Sequence, residues 1–136
     1  VARYFAEALD AGNVAILDEL FTADCVIHRP EAAAPLRGLD AIRRIVQGRC
    51  DRYSAFKSVI HEMIGEGDKV VCRLTHSVVY KGPWRSRIGV HEIPGVAVQW
   101  SPVAIFAIRG GKIAEEWVCR DELGMLIQAG VITPAR

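Results

Sequence analysis

The hydrophobic period of this chain changes once, near residue 57, and that single change limits the folds open to it. Before it, Leu39, Ile42, Val46, Cys50 and Tyr53 lie 3, 4, 4 and 3 positions apart, which is one buried stripe and predicts a helix over 39–56. From Lys57 onward the period falls to two and β-branched residues gather, predicting strands over 58–65, 69–80, 96–109 and 112–121. Ahead of the long helix, Tyr4, Phe5, Ala8 and Leu9 predict a helix over 1–10. Ala11-Gly12-Asn13 ends it and supplies an N-cap for a second helix over 14–21. A brief strand over 24–28 and an irregular crossing over 29–38 complete this half. Helices first and sheet second in 136 residues leave room for one core, hence a single α+β domain over 1–136.

The compact turns Gly65-Glu66-Gly67-Asp68 and Arg109-Gly110-Gly111-Lys112 join neighbouring strands as antiparallel hairpins. A strongly curved antiparallel sheet wrapped around three N-terminal helices makes a cone, packed at one end and open at the other, and the open end is a natural pocket. Residues 81–95 are too long for a plain hairpin; Trp84, Ile88 and Ile93, with flanking Gly and Pro, mark a lid or binding loop.

Several function classes drop out on charge and composition. With 51% hydrophobic and 24% charged residues the chain has the makeup of a folded globule. Seventeen basic against sixteen acidic side chains give a net charge of +1, so no basic field points to nucleic acid or an anionic membrane. Arg43, Arg44, Arg49 and Arg52 of the long helix, accompanied by Asp40 and Asp51, read as a solvated face. No apolar run approaches the roughly 20 residues of a membrane span, and Val1-Ala2-Arg3-Tyr4-Phe5 has no signal-peptide character. Cys25, Cys50, Cys72 and Cys119 are far apart and read as buried free thiols, which fits a reducing cytoplasm. No histidine pair has metal-ligand spacing, so no metal is expected.

Candidate chemistry lies on the last strand and around it. Alternation puts Ile113, Glu115, Trp117, Cys119 and Asp121 on one face and Ala114, Glu116, Val118 and Arg120 on the other. With the first face lining the cone, Asp121 sits beside Trp117, where desolvation raises a carboxyl pKa towards the range of a general base. As an alternative, Asp121 is the N-cap of a closing helix over 122–129. His28 and Arg73 are further candidates; Arg73 shares a face with Val71, Thr75 and Ser77 that fits either a pocket wall or an interface. His76 and His91 are open, and one of them is expected to reach the pocket. Trp117, Glu115, Ile113, Trp84 and Tyr53 or Phe56 are the expected lining. Val and Ile left on the convex face of the sheet predict a homodimer.

Four stretches resemble a known family. They are Phe21-Thr22-Ala23-Asp24-Cys25-Val26-Ile27-His28-Arg29-Pro30, then Gly38-Leu39-Asp40-Ala41-Ile42, and then the run from Phe106 to Asp121 with Gly111-Lys112-Ile113-Ala114-Glu115-Glu116-Trp117 and the helix end Gln128-Ala129-Gly130. Together they are similar to the SnoaL-like polyketide cyclases of the NTF2-like superfamily. The resemblance implies a cone fold, an oligomer formed through the outer sheet face, and no metal or organic cofactor. It also implies that Asp121, four residues after Trp117, is the acid/base of an intramolecular aldol or enolisation step on a small hydrophobic carbonyl compound. His28 falls on a pocket residue, and Arg73 or His91 would help polarise the enolate. The superfamily also holds limonene-type epoxide hydrolases and non-catalytic binding or assembly modules, which stand as alternatives.

Overall fold

In the computed structural model, which describes residues 1–135, helices and sheet follow one another as the change of period requires. A π-wound helix, Tyr4–Asp10, buries Tyr4, Phe5, Ala8 and Leu9. Asn13 then caps a 3₁₀ turn, Val14–Ile16, its side chain accepting from the Ala15 N–H, and the turn runs into α1, Leu17–Leu20. The expected helix over 14–21 is therefore one residue shorter, because Phe21 already opens strand β1, Phe21–His28. After the two-residue β2, Leu36–Arg37, comes α2, Leu39–Arg52, with Ala41, Ile42 and Val46 buried.

Helix α2 stops at Arg52 rather than Phe56 because the sheet claims the residues beyond. Strand β3, Tyr53–Glu66, pairs antiparallel with β4, Lys69–Tyr80, back to the Tyr53–Tyr80 pair, whose rings lie 5.2 Å apart. Cross-strand pairing outweighs the helical spacing of Tyr53 and Phe56. The connection 81–95 contains its own two-stranded hairpin, β5 Pro83–Ser86 and β6 Gly89–Glu92. The strand expected over 96–109 is broken at Ser101-Pro102 into β7, Ala97–Trp100, and β8, Val103–Arg109, since Pro102 has no N–H for the ladder. Strand β9, Lys112–Cys119, and α3, Glu122–Gln128, close the chain.

The main sheet runs β2-β1-β9-β8-β4-β3, with β7 also on β4. It is antiparallel except that β1 pairs parallel with β9, a departure from the all-antiparallel expectation. That pair carries the first half of the chain to the far edge of the meander, so that the helices lie across its inner face. Two apolar clusters fill the interior. One gathers Tyr4, Phe5, Leu17, Ile27, Ile42, Leu74, Phe106 and Ile113, and the other Val78, Tyr80, Trp84, Val98, Trp100, Met125 and Leu126. Cys25 and Cys72 are buried as expected, while Cys50 and Cys119 are exposed. Cys50 is expected on the buried α2 stripe, but that burial ends at Val46 and leaves the last turn of the helix outside, and Cys119 lies at the end of β9. Among the described residues no helix is long and apolar enough to cross a membrane.

Candidate active site

A bulge in β9 decides what faces the interior. Opposite β8, Ala107 pairs with Glu115 and Ile108 with Ile113, so Ala114 is an extra residue. Alternation reverses across it. Ile113 points into the core, but beyond the bulge Glu116, Val118 and Arg120 turn inward while Glu115, Trp117 and Cys119 turn outward. Strand β4 keeps its period, with Cys72, Leu74, His76, Val78 and Tyr80 buried inward and Arg73 and Ser77 outside; Thr75 on that outer face is also covered.

Between the two apolar clusters lies a cavity of about 400 Å³. Tyr4, Phe5 and Leu9 of the first helix, Tyr53 and Phe56 of β3, Trp84 of the hairpin and Trp100 of β7 give it an aromatic wall, while Arg29, Glu31, Arg49, Arg52, His76, Arg85, Glu116 and Arg120 supply its polar groups.

His76 is the cavity group best held for proton transfer. Its ring packs among Phe5, Phe56 and Trp100 at centroid distances of 6.0, 5.1 and 5.3 Å. Its Nδ1 lies 2.9 Å from Ser58 Oγ. The Ser58 hydroxyl donates to Asp10 Oδ1 at 2.7 Å and the Ser58 N–H to Asp10 Oδ2 at 3.0 Å. Because the single hydroxyl proton goes to the carboxylate, Ser58 Oγ accepts from Nδ1–H, which fixes the tautomer and leaves the Nε2 lone pair free. His76 lines the cavity and Ser58 does not, so that lone pair is on the cavity side. Burial, aided by the charges of Arg29 and Arg120, pushes the His76 pKa down to about 4, so the imidazole is neutral at pH 7.

A second polar group spans the opposite wall. Arg29 Nη2 lies 3.0 Å from Glu116 Oε1 and donates to the Tyr4 hydroxyl at 3.3 Å. The Arg29 to Glu116 approach is close enough for charge attraction yet not aligned as a hydrogen bond, since neither buried Glu116 oxygen has a hydrogen-bond partner. Burial raises the Glu116 pKa against the opposing pull of Arg29, and burial likewise raises the Tyr4 phenol. Arg120 Nη2 sits 3.2 Å from Glu31 and 4.0 Å from Glu122, and Glu122 in turn takes Arg87 Nε at 3.1 Å. The hairpin is thereby tied to the start of α3 at the cavity's edge.

Of the residues expected at the site, Tyr53, Phe56 and Trp84 line the cavity. Asp121, Glu115 and Trp117 do not, because the Ala114 bulge turns their face outward; Ile113 is in the core below the cavity. Asp121 Oδ1 accepts from the Gly124 N–H at 2.9 Å as the N-cap of α3. Its carboxylate lies so close over that turn that a Cβ on Gly124 would collide with it. His28 also faces outward, stacked on Trp117 at 5.4 Å with Nε2 3.3 Å from Glu115. Arg73 is outside, paired with Glu62 at 3.1 Å. His91 is held by Ser86 Oγ at 2.7 Å beside Trp84 and is not among the lining residues. Arg29, Glu116, Arg120, Tyr4 and the Asp10–Ser58 support of His76 were missed. A signal for Glu116 and Arg120 was present, since both sit on the alternate face of β9. Among the described residues no cluster of three or more His, Cys, Asp or Glu is arranged to hold a metal ion.

The model of the SnoaL-like domain family matches residues 1–116. Among solved structures, TsrD from Streptomyces laurentii superposes with a TM-score of 0.82 at 24% identity, covering 96% of this chain and 92% of its own. IdmH from Streptomyces antibioticus, a proposed polyketide cyclase, superposes at 0.76 with 24% identity over 95% and 94% of the two chains. A LEH-like epoxide hydrolase from Mycobacterium tuberculosis superposes at 0.72 with 16% identity over 96% and 86%. A search of curated proteins finds no match.

Proposed function

We propose, because the chain belongs to the SnoaL-like domain family, that its cone performs acid/base chemistry on a small carbonyl compound with an apolar body, by intramolecular aldol closure or enolisation. The observation that carries the reading is the Asp10–Ser58–His76 chain, which presents a neutral imidazole with a free Nε2 to the cavity. The role of base thus passes to His76 from Asp121, which caps α3 outside the cavity. Nε2 takes a proton from the carbon beside a carbonyl, and the enolate oxygen is met by the Arg29 guanidinium and the Tyr4 hydroxyl. The enolate carbon then bonds to a second carbonyl carbon of the same molecule, and the imidazolium returns its proton to the new alkoxide. A positioned base contributes about 10² to 10⁴ in rate and an oxyanion donor about 10² to 10³. The aromatic wall supplies the remaining help by folding the chain.

The test is exchange of the α-protons of a cyclic monoketone, 2-tetralone, with deuterated solvent, followed by NMR, for wild type and His76→Gln. Loss of about 10² or more in the variant, with its melting temperature held, supports the reading; equal exchange overturns it in favour of a non-catalytic binding module. A second reading, epoxide hydration, draws on Glu31 and Glu116, both lining the cavity around Arg29, and on the likeness to the epoxide hydrolase. Diol formation from limonene oxide that is lost in Glu116→Gln but kept in His76→Gln would select it.

A further inference from the structure

The chain as a whole is nearly neutral, yet the cavity wall carries five arginines against two glutamates. Pairing accounts for the two deepest, since Arg29 faces Glu116 at 3.0 Å and Arg120 faces Glu31 at 3.2 Å. Arg49, Arg52 and Arg85 remain, and among the described residues none of the three has a carboxylate within 4.0 Å. A helix C-terminus attracts cations, and Arg49 and Arg52 occupy the last turn of α2. That attraction does not extend to Arg85, which reaches the same cavity from the hairpin.

The side chains are also held in a way that leaves donors unused. The Arg49 guanidinium stands 5.3 Å over the Phe56 ring and that of Arg52 5.6 Å over Tyr53, so both lie against the aromatic wall. Arg49 gives Nη2 to the Asp10 carbonyl and Nη1 to the Cys50 sulfur, but its Nε is buried without a partner. Arg52 makes one long contact of 3.5 Å to the Ile45 carbonyl. Arg52 and Arg85 are exposed along the cavity, so their remaining N–H donors face water and are open to an anionic acceptor.

We infer that the ligand of this cavity carries a carboxylate, held by Arg49, Arg52 and Arg85 while its apolar body lies against the aromatic wall. The inference rests on the reading of the cone as a chamber for a small carbonyl compound, and it adds the substrate class: a keto acid rather than a neutral ketone or ester. The planar fork of a guanidinium matches a carboxylate in two parallel hydrogen bonds, and three of them line one cavity with no carboxylate of the described residues within 4.0 Å. An anion would also serve the base. The positive charges of Arg29 and Arg120 help to depress the His76 pKa, and a bound carboxylate opposes that field, moving the imidazole back towards the range where a general base is most effective.

Calorimetric titration at low salt with 2-naphthoate, methyl 2-naphthoate and 2-naphthyl phosphate tests this on wild type, Arg85→Gln and the Arg52→Gln, Arg85→Gln double variant. Wild type should bind the acid at least about tenfold more tightly than the ester, the double variant should lose most of that preference, and ester binding should not change. The His76 ring titration followed by NMR should move upward with the acid and not with the ester. Equal affinity for acid and ester, tighter binding of the phosphate, no binding of the acid, or a preference that survives in the double variant would each overturn the inference. None of these measurements involves turnover, so their failure leaves the proton-exchange test of His76 untouched, and failure of that test leaves the carboxylate preference to stand on its own.

Discussion

Replacing His76 by Gln should flatten the dependence of stability on pH. The imidazole is 8% exposed and its pKa falls from 6.5 to about 4 in the folded chain. Between those two values the unfolded chain binds a proton that the folded chain refuses, so unfolding free energy is full above pH 6.5 and drains away as pH falls towards 4. The shift corresponds to a loss of about 3 kcal/mol by pH 4, of which about 2 kcal/mol is gone by pH 5. Glu116 acts in the opposite sense: its raised pKa means that the folded state keeps its proton longer, a contribution that shrinks as pH rises. The comparison between wild type and His76→Gln cancels that background. The glutamine amide retains a polar group near Ser58, so the variant should fold. Urea denaturation by circular dichroism at pH 7, 6 and 5 provides the assay. Parallel pH profiles for the two proteins would show that His76 is not held neutral by its surroundings, and the account of the base would fail with it.

Three other perturbations separate the roles assigned above. Asp121→Asn should leave both stability and turnover nearly unchanged, whereas Asp121→Ala should cost about 1 kcal/mol in thermal melts and still turn over; lost turnover in Asp121→Asn would return the base to that residue. Ser58→Ala should lower kcat about tenfold with KM little changed, because the Nδ1 tautomer loses its acceptor; an unaltered kcat and pH profile would make Ser58 merely structural. The homodimer is proposed to form through the outer sheet face, where Val59, Val103 and Ile105 are exposed. Ile105→Lys should then give a monomer by light scattering where wild type gives a dimer, and a monomeric wild type would refute it.

The architecture was readable because the two periods of this chain are strong. Ile42 and Val46 of the expected α2 stripe are buried, though Cys50 is not, and the Gly-rich turns did join β3 to β4 and β8 to β9. The site was less readable because facing on β9 depends on parity, and parity is lost at one inserted residue. Counting from Ile113, whose apolar side chain is correctly inward, puts Glu115 and Trp117 inside; the bulge at Ala114 makes Glu116 and Arg120 the inward pair. Ala114 is small and ordinary in sequence, so nothing local announces it. His76 was visible on β4, but Ser58 lies 18 positions before it and Asp10 far back in the first helix. The three meet only through the pairing of β3 with β4 and the packing of the first helix on β3.

The bulge gives β9 something like a reading frame. One strand spells two side-chain texts, Glu116-Val118-Arg120 and Glu115-Trp117-Cys119, and the bulge that absorbs Ala114 as an extra residue displays the first to the chamber. Straightening the bulge while keeping Ala114 in regular alternation would exchange them, putting an indole and a thiol where an acid and a guanidinium now stand. Deleting Ala114 would instead remove the extra residue and leave Glu116, Val118 and Arg120 inward. A deletion of one residue past the bulge is thus a larger change to the chamber's chemistry than a point substitution, while one at Ala114 itself keeps the lining and leaves the hairpin, its turn and its hydrogen-bonded ladder largely in place.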